Sequence, residues 1–358
     1  MLKRVLLGMS GGIDSSVSAI MLKEQGYEVV GLTLRLWDKI DHRDDEPEYI
    51  QKAKNLAHQL DLKHYVCDVR EEFNDKVIRY FLSDYQKGNT PNACAFCNPE
   101  IKWGTLLKQA TQLNCEFVAT GHYVQKEQIG GKWFIKKGVD AIKDQSYFLW
   151  NLKQDELQKT IFPLGGFTKK QIRDYAILKG FEGLDKQKES MGVCFLQQTD
   201  YRDFLKTSFE LKGISFSKGD IIDHSGTIIG QHDGVPYYTI GQKRGLDVPE
   251  GKSFYVSKLD ADHNRVEVGA KSDLLKKKLW IRDYHLIDTD TLINCTNLTT
   301  LVRGYGLNPD GHSIVDVLNP NQLFVQLSDF AWAPAPGQPV AFYDGDLLLG
   351  GGILEKAE

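Results

Sequence analysis

Two groups of residues in this chain have the types and spacing that chemistry requires: a glycine- and serine-rich run near the start and three cysteines further on. The run is Gly8-Met9-Ser10-Gly11-Gly12-Ile13-Asp14-Ser15, between a short apolar segment and a predicted helix. Adjacent glycines let backbone N–H groups converge on an anion, and the helix N-terminus adds partial positive charge. The run predicts a phosphate site, with Asp14 as a helix N-cap or a Mg²⁺ ligand. The alternative is a tight turn before a capped helix.

The run lacks the lysine of a Walker A loop, and this separates it from loops that transfer a γ-phosphoryl group. Gly251-Lys252-Ser253 matches that loop in part, but Leu246 stands where the first glycine is required, so we interpret the segment as a turn. No Gly-x-Gly-x-x-Gly motif follows the first strand, which disfavours dinucleotide binding. A loop without lysine suits cleavage between the α- and β-phosphates of ATP, which is adenylation.

The cysteines leave three interpretations open. Cys94 and Cys97 form a Cys-x2-Cys pair in a predicted loop over 88–99, and Cys194 follows a charged stretch at 185–189. Half a zinc site is disfavoured, since no second Cys-x2-Cys or paired histidines accompany it. Inert thiols are the default for the remaining cysteines, Cys67, Cys115 and Cys295. Sulfur transfer is the third interpretation, and a cysteine at a helix N-terminus is predisposed to the thiolate form.

Strand and helix patterns alternate in the first half of the chain, which predicts a doubly wound α/β domain with a parallel sheet. The predicted strands are 4–9, 27–36, 64–67 and 117–120, and the predicted helices are 14–26, 48–60, 71–86 and 101–113. Ligands of such sheets bind beyond the carboxyl ends of the strands, where residues 10–15 fall. After about residue 205, short strand signals predict a small β-rich domain and a C-terminal β-barrel. The predicted domains are 1–205, 206–275 and 276–358.

Composition excludes several classes of protein. The 44 Lys and Arg residues against 48 Asp and Glu give a formal charge of −4, so the chain is not a nucleic-acid binder that is basic overall, although a local basic face is compatible. No apolar run approaches the roughly 20 residues of a membrane span. Six cysteines are too few for a disulfide scaffold. The first residues show no signal peptide, and a cytoplasmic location is expected.

The motifs together resemble the tRNA-specific 2-thiouridylase family of the ATP pyrophosphatase superfamily, across essentially the full chain. Argininosuccinate, asparagine, GMP and NAD synthetases share the pyrophosphate loop that Ser10 to Ser15 resembles, so the loop alone does not choose among these enzymes. The segments that favour the thiouridylases are Cys97-Asn98-x-x-Ile101-Lys102, Ala119 to Tyr123, Lys143 to Leu149, Phe162 to Gly165, Gly192 to Phe195, Tyr237 to Leu246 and Pro336-Gly337-Gln338.

The resemblance implies a role for each matching residue. Cys194 would carry a persulfide, and Cys97 would be the nucleophile or resolving thiol. The residues implied to bind ATP are Gly8, Met9, Ser10, Gly11, Gly12, Ile13, Asp14, Ser15, Leu34 and Gly121. Those implied to contact tRNA are Asn92, Ala93 and Cys94 beside the target base, Lys143, Asp144 and Gln145, and the weaker candidates His122, Arg303 and Gln338.

The resemblance also implies a reaction and partners. The O2 atom of the wobble uridine at position 34 would attack the α-phosphate of ATP and release pyrophosphate, with Mg²⁺ accompanying the nucleotide. Persulfide sulfur would then attack C2, AMP would leave, and a disulfide between Cys97 and Cys194 could form. The implied partners are tRNAs with lysine, glutamate or glutamine anticodons and a persulfide donor, either a cysteine desulfurase or a Tus-type sulfur relay protein.

Some residues depart from the family pattern and keep alternatives open. Several members have Asp where this chain has Cys94, and three cysteines could hold an iron–sulfur cluster, a route we rank below the persulfide. Arg303-Gly304-Tyr305 lacks the usual contiguous Arg-Tyr. The rival functions are a small-molecule synthetase, which leaves Cys97 and Cys194 unexplained, and a non-catalytic RNA-binding or redox module.

Basic side chains could form a local RNA face despite the negative total charge. Lys276-Lys277-Lys278 is either a solvated charge run or a phosphate contact, and Lys243-Arg244 lies in a family segment. One side of the active-site mouth is predicted to be lined by Lys102, Lys108, Lys143, Lys169, Lys170 and Arg173.

Overall fold

A computed structural model describes residues 2–38, 46–181, 192–196, 199–248, 254–304 and 308–358. The charged stretch 185–189, the predicted turn 251–253 and Tyr305 lie outside these ranges. The chain forms two compact units. The first comprises Met1–Lys76, Cys94–Phe195 and Asp346–Leu348, and the second comprises Val77–Ala93, Leu196–Gly345 and Leu349–Glu358.

The secondary structure is mixed, with helices concentrated in the first half. The described α-helices are α1 (Ile13–Glu24), α2 (Glu48–Gln59), α3 (Arg70–Phe73), α4 (Arg79–Gln86), α5 (Ala93–Cys97), α6 (Gly104–Gln112), α7 (Gln154–Lys159), α8 (Lys169–Leu178), α9 (Tyr201–Leu211) and α10 (Thr289–Ile293). The described strands are β1 (Arg4–Gly8), β2 (Glu28–Arg35), β3 (Lys63–Asp68), β4 (Phe117–Ala119), β5 (Val124–Ile129), β6 (Lys132–Lys137), β7 (Thr160–Ile161), β8 (Gly219–Ile222), β9 (Ile228–His232), β10 (Tyr255–Asp260), β11 (Arg265–Gly269), β12 (Leu275–Leu286), β13 (Leu298–Leu301), β14 (Ser313–Asn319), β15 (Gln322–Trp332), β16 (Pro339–Asp344) and β17 (Leu347–Ala357).

A five-stranded parallel sheet in the order β3-β2-β1-β4-β7 is the centre of the first unit. Val5 and Leu7 of β1 pack on one face with the apolar sides of α1 and α2, while Leu6 packs on the other with Leu106 of α6. Side chains of a strand alternate between faces, so an uninterrupted apolar β1 needs a helix layer on both. The prediction of a doubly wound sheet is confirmed.

The segment that carries the Cys-x2-Cys pair is helical, so the predicted loop over 88–99 is wrong from residue 93 onward. The helix α5 continues into a π-helical turn at Asn98–Trp103 and then into α6. Pro91 and Asn92 favour a loop in sequence, but they stand just before the helix start. Ala95 and Cys97 are buried, and packing of these small side chains fixes the short helix.

Several elements of the first unit were not predicted from the sequence. Strands β5 and β6 form an antiparallel hairpin, and Leu347 and Leu348 of β17 pair with Lys136 and Ile135 of β6. Helices α7 and α8 follow. A predicted helix over 71–86 is observed as α3 and α4 with a π-helical turn between them at Asn74–Ile78.

The second unit is rich in strands, as its sequence predicts. One sheet has the order β10-β11-β8-β9 around a core that includes Ile221, Val256 and Val266. In the last sheet, β12 pairs antiparallel with both β15 and β17, β13 pairs with β16, and β14 pairs with β15. Within the described ranges, no helix combines the length and the apolar character that a bilayer-spanning segment requires.

Candidate active site

The phosphate run turns at a glycine that no other residue can replace without strain. Gly11 has a φ of 73°, and a Cβ atom there would lie 2.5 Å from the carbonyl oxygen of Tyr49 and 2.9 Å from Cβ of Lys52. Gly12 is the N-cap of α1 with an extended backbone, φ −90° and ψ 165°. The left-handed residue is therefore Gly11, and it delivers the backbone to the start of α1.

Serine hydroxyls brace the turn. The Ser10 N–H donates to Oγ of Ser15 at 3.2 Å, while the Ser15 and Ser16 hydroxyls donate to the carbonyl of Gly12 at 3.1 and 2.8 Å. Ser10 is exposed, whereas Ser15 and Ser16 are buried. The predicted donor role toward an anion therefore fits Ser10 best, because the hydroxyls of Ser15 and Ser16 already stabilise the loop.

Asp14 lies in the first turn of α1 rather than at the N-cap, so that part of the prediction is wrong. Its Oδ1 accepts a hydrogen bond from the Tyr123 hydroxyl at 2.6 Å, and Nζ of Lys169 is 2.7 Å from Oδ1 and 2.8 Å from Oδ2. Both oxygens of this carboxylate thus contact a cation of the protein. The predicted Mg²⁺ ligand role of Asp14 stays a prediction.

Two residues expected to line the nucleotide site lie at the ends of strands near the run. A Cβ atom on Gly121, just after β4, would come within 3.1 Å of the Asp14 carbonyl carbon and of the Ser15 nitrogen. Leu34 is half-buried near the end of β2, and its carbonyl accepts from the Tyr49 hydroxyl at 3.5 Å. The residues predicted to bind ATP are therefore gathered at the carboxyl ends of β1, β2 and β4, as open parallel sheets require.

The three cysteines singled out by sequence lie in the same unit and influence one another. Burial raises the pKa of the Cys97 thiol to about 12, with Cys194 and Cys94 contributing and the Lys102 charge opposing. Cys194 has surface open to solvent, yet the protein packed around its sulfur, together with Cys94, raises its pKa to about 11. Burial also raises the pKa of Cys94, again opposed by Lys102. Burial therefore raises the pKa of all three thiols, and the Lys102 charge opposes this effect at each of them.

The expectation of a thiolate at a helix N-terminus is wrong for this structure. Cys94 lies in the first turn of the helical run that begins at Ala93, whereas Cys97 is the last residue of α5, and burial raises the pKa of both thiols. All six cysteines are free thiols. Activation of sulfur here requires a further charge or a substrate that brings one.

We expect iodoacetamide to alkylate Cys194 faster as pH rises, because only the thiolate attacks and its pKa is raised. The rate should climb about tenfold per pH unit from neutrality to beyond pH 9, followed by peptide mass spectrometry. Cys97, 5% exposed, should react far more slowly than Cys194. Lys102→Met, which removes the opposing charge, should slow Cys194 further. A rate plateau below pH 8 would contradict the raised pKa.

Residues implied to contact tRNA in the first unit are largely bound within it. The Asp144 carboxylate accepts from the Gly138 N–H at 2.9 Å and the Ser146 hydroxyl at 2.7 Å. Gln145 Oε1 accepts from the Tyr123 N–H at 3.0 Å. Both side chains therefore shape their own loop, whereas Lys143, which is half-buried, is the positively charged member of the motif.

His122 is held as a neutral side chain. Its Nδ1 is 2.7 Å from Oγ1 of Thr120, and its ring packs on Trp103. Burial, helped by the Lys102 charge, lowers the pKa of His122 to about 3. A contact of this residue with tRNA would therefore be a neutral hydrogen bond or a stacking contact.

The tRNA candidates of the second unit also have partners of their own. Arg303 donates to the Ala333 carbonyl at 2.5 Å and lies over the Trp332 ring. Gln338 donates to the Thr90 carbonyl at 2.5 Å, two residues before Asn92. Both side chains donate hydrogen bonds to backbone carbonyls of the second unit. Their predicted tRNA contacts stay predictions.

The described residues do not form a metal-binding site in this conformation. No three His, Cys, Asp or Glu side chains in the described ranges are close enough to hold one metal ion. The three thiols of this conformation are therefore not a preformed ligand set for an iron–sulfur cluster. A Mg²⁺ ion fits best as part of the MgATP substrate, since such ions are held largely by phosphates and water.

Known protein families match this chain in three consecutive segments. Three family models match in succession: tRNA methyl transferase HUP domain over 3–198, tRNA methyl transferase PRC-barrel domain over 202–270, and Aminomethyltransferase beta-barrel domain over 277–354. The tRNA-specific 2-thiouridylase MnmA 3 of Phocaeicola vulgatus is 43% identical over 357 residues, 98% of this chain and 94% of the relative. The chain belongs to the tRNA-specific 2-thiouridylase family. A HUP-type sheet domain followed by PRC-barrel and β-barrel domains confirms the predicted fold class.

Another relative in the 2-thiouridylase family also matches nearly the whole chain, and a solved structure matches part of it. The tRNA-specific 2-thiouridylase MnmA of Amoebophilus asiaticus is 40% identical, with 99% of this chain and 96% of the relative covered. A solved structure of the U34-tRNA thiolase NcsA from Methanococcus maripaludis with its [4Fe-4S] cluster shares 17% identity over 58% of this chain and 66% of its own, with a TM-score of 0.35.

Sequence reasoning did not predict that two residues, Lys169 and Tyr123, contact Asp14 in the phosphate run. Lys169 was grouped with cations at the mouth, but it is buried against Asp14, whereas its neighbour Lys170 is exposed. Tyr123 was quoted in a motif and contacts the same carboxylate. No local pattern links positions this far apart, so only the fold reveals the contact.

Proposed function

We propose that this chain is an ATP-dependent tRNA 2-thiouridylase that converts the wobble uridine at position 34 into 2-thiouridine, with AMP and pyrophosphate as the other products. The observation that carries the proposal is that a phosphate loop and three mutually influencing thiols occupy one compact unit. The names of the family relatives support the same activity. A small-molecule synthetase would need the loop but not the thiols.

The first step is adenylation. The uridine O2 attacks the α-phosphorus of MgATP, and pyrophosphate leaves from the side held by Gly11, Gly12 and Ser10. The uracil carbonyl is a weak electrophile, and AMP turns its oxygen into a good leaving group. Backbone N–H groups and the start of α1 stabilise the charge that develops on the phosphates. The wobble base has to leave its stack to reach this loop.

The second step delivers sulfur. The terminal sulfur of a persulfide on Cys194 attacks C2, and AMP leaves with the oxygen. The Cys97 thiolate then attacks Sγ of Cys194, forming a disulfide between them and leaving the transferred sulfur on C2. An external thiol reductant restores the two cysteines, and a cysteine desulfurase or a sulfur relay protein restores the persulfide. Cys194 is exposed, as contact with a donor protein requires, and Cys97 is buried.

Contacts with tRNA complete the proposal. Asn92, Ala93 and Cys94 are proposed to lie beside the target base, with Lys143 supplying charge nearby. His122, Arg303 and Gln338 are proposed as further contacts, alongside Asp144 and Gln145. The substrates are tRNAs for lysine, glutamate and glutamine, and the cytoplasm is the proposed location.

The test is mass spectrometry of nucleosides from tRNA incubated with the chain, MgATP and a persulfide donor. We expect 2-thiouridine at position 34 together with equal amounts of AMP and pyrophosphate. A matched reaction with an ATP analogue whose α–β bridge is a methylene group should give no product. Release of ADP and phosphate, or unmodified tRNA with every component present, would contradict the proposal.

The iron–sulfur alternative has its own outcome. An anaerobically purified chain that is brown, and whose thiolation depends on about one cluster per chain, would favour a cluster on Cys94, Cys97 and Cys194 over the persulfide. A colourless chain that thiolates tRNA with stoichiometric persulfide would favour the route described above.

A further inference from the structure

A short irregular loop precedes the helix α5. Residues 89–92 (loop 89–92) belong to no helix or strand, and they lie between the end of α4 and the start of α5 at Ala93. The loop includes Asn92, which is proposed to lie beside the target base. Irregular backbone takes its position from the neighbours that satisfy its polar groups. The neighbours of loop 89–92 therefore decide where Asn92 lies.

A turn between β15 and β16 bonds to both polar groups of the Thr90 backbone. This turn is Pro336-Gly337-Gln338 (turn 336–338). The Thr90 N–H donates to the Pro336 carbonyl at 2.7 Å, and the Thr90 carbonyl accepts from Nε2 of Gln338 at 2.5 Å. The turn is itself fixed to β17, since the Gly337 N–H donates to the Leu354 carbonyl and the Leu354 N–H donates to the Gln338 carbonyl, each at 2.8 Å. Thr90 is thus bonded to an element that has its own support.

The same turn also packs closely against the loop. Gly337 has a φ of 90°, and a Cβ atom there would lie 3.0 Å from Cβ of Asn89 and 3.1 Å from the nitrogen and the carbonyl carbon of Thr90. Only glycine combines this backbone with so close an approach. On its other side the loop is tied to α4, because the Asn89 N–H donates to the Asp84 carbonyl at 3.0 Å. Loop 89–92 is therefore held by packing and by hydrogen bonds.

The two elements that meet the loop have hydrogen bonds of their own. Within the turn, the Gln338 N–H donates to the Ala335 carbonyl at 3.2 Å, and at the end of α4 the Lys87 N–H donates to the Asp84 carbonyl at 3.1 Å. Gln338 is only half-buried, so its amide has water as an alternative partner. What the contact adds is a fixed position for loop 89–92.

We propose that turn 336–338 is a positioning element for the reaction, in which Gly337 and Gln338 hold loop 89–92 so that Asn92 and Ala93 stand beside the target base. The inference rests on the proposed function, because it assumes that the base of a bound tRNA reacts there. It gives Gln338 a role that acts through Thr90, in addition to its proposed tRNA contact. Loss of this hold should slow the reaction of bound tRNA more than it weakens tRNA binding.

The test uses the full chain preloaded with persulfide, with MgATP and excess tRNA, so that each active chain forms one 2-thiouridine. Gln338→Met keeps the length of the side chain but removes the amide donor. Its rate constant should fall at least about tenfold, the effect of a small misplacement of reacting groups. The amount of product per chain should stay at the wild-type level, whereas a fold defect would lower that amount. Affinity for tRNA should stay within about twofold, because phosphate contacts dominate it.

Matched controls separate the loop contact from general damage to the second unit. Gln326→Met removes an amide that donates to the Lys277 carbonyl at 3.4 Å within the last sheet, and it should keep the wild-type rate constant. Gly337→Ala should slow the reaction as Gln338→Met does, although position 337 has no side chain that contacts tRNA. Gly226 has a similar φ of 82°, but a Cβ atom there would meet nothing within 4 Å, so Gly226→Ala should keep the rate constant.

Hydrogen exchange of the peptide 87–93 gives a readout that needs no activity. The Thr90 amide should exchange at least about tenfold faster in Gln338→Met than in wild type or Gln326→Met, because the loop opens more often. A wild-type rate constant for both Gln338→Met and Gly337→Ala would overturn the inference. A loss of tRNA affinity in Gln338→Met with unchanged exchange would also overturn it, since Gln338 would then be a tRNA contact alone.

The outcomes also separate this inference from the proposed function. If the wild-type chain thiolates no tRNA while Gln338→Met exchanges faster at Thr90, the hold of the turn on the loop is retained and the 2-thiouridylase activity is rejected. If tRNA is thiolated and both turn variants react at the wild-type rate, the activity is retained and the positioning role is rejected.

Discussion

Cys194→Ser is expected to abolish 2-thiouridine formation while ATP binding stays at the wild-type level. Serine cannot carry a persulfide, and Cys194 is the exposed member of the three thiols, where a donor protein can reach it. The phosphate run does not depend on this side chain. With tRNA and ATP present, the variant should still release pyrophosphate once per active site, because adenylation precedes sulfur transfer. Rapid quenching with labelled ATP measures that burst, and nucleoside mass spectrometry measures the product.

The control is Cys295→Ser, which changes a half-buried thiol of the second unit and should keep full activity. Cys97→Ala should behave differently from both. It allows transfer of sulfur from Cys194 to the adenylated base but removes the thiol that releases it, so an adduct between tRNA and Cys194 should accumulate. Substantial 2-thiouridine from Cys194→Ser would reject Cys194 as the carrier.

Gly11→Ala is expected to lower the free energy of unfolding by about 2 kcal/mol or more and to weaken ATP binding at least about tenfold. The backbone at this position has a φ of 73°, which an L side chain adopts only with strain. The added methyl group would also overlap the Tyr49 carbonyl at 2.5 Å. Because that carbonyl belongs to α2, the turn has to move away from its present path. Chemical denaturation and ATP titration measure the two effects.

Gly12→Ala provides the matched comparison. Its backbone is extended, and a methyl group there would meet nothing closer than Oγ of Ser10, at 3.5 Å. The unfolding free energy of this variant should therefore stay within about 1 kcal/mol of wild type. If both glycine variants lose the same stability, the left-handed turn at Gly11 is not what holds the loop.

Local pattern was enough to find the sheet and the phosphate run. Strands such as β1 are apolar on both faces, helices such as α2 repeat apolar residues at helical spacing, and the glycine pair marks the turn between strand and helix. Each of these signals depends on residues that are close together in the sequence, and the structure has the predicted element at each of these places. The segment with Cys94 and Cys97 shows where local pattern is not enough. Pro91 and Asn92 predict a loop, but they lie before α5, and the burial of Ala95 and Cys97 stabilises the helix that follows.

Contacts between residues that are far apart in the sequence could not be predicted from local pattern. Lys169 meets Asp14 only because α8 packs on α1, and the basic residues near it in sequence point to a charged surface instead. The raised pKa values of Cys97 and Cys194 likewise arise from the burial that the fold imposes. Their spacing in the sequence gives no indication of this burial, which depends on the residues packed around the two thiols.

Both compact units incorporate residues from the last few per cent of the chain: Leu347 and Leu348 extend the hairpin of the first, and Leu349 to Glu358 belong to the second. During translation, the pairing of Leu347 and Leu348 with β6 has to wait for about 210 residues that follow this strand. A nonsense codon that removes only β17 would therefore remove a strand partner from both units: the partner of β6 in the first and the partner of β12 in the second.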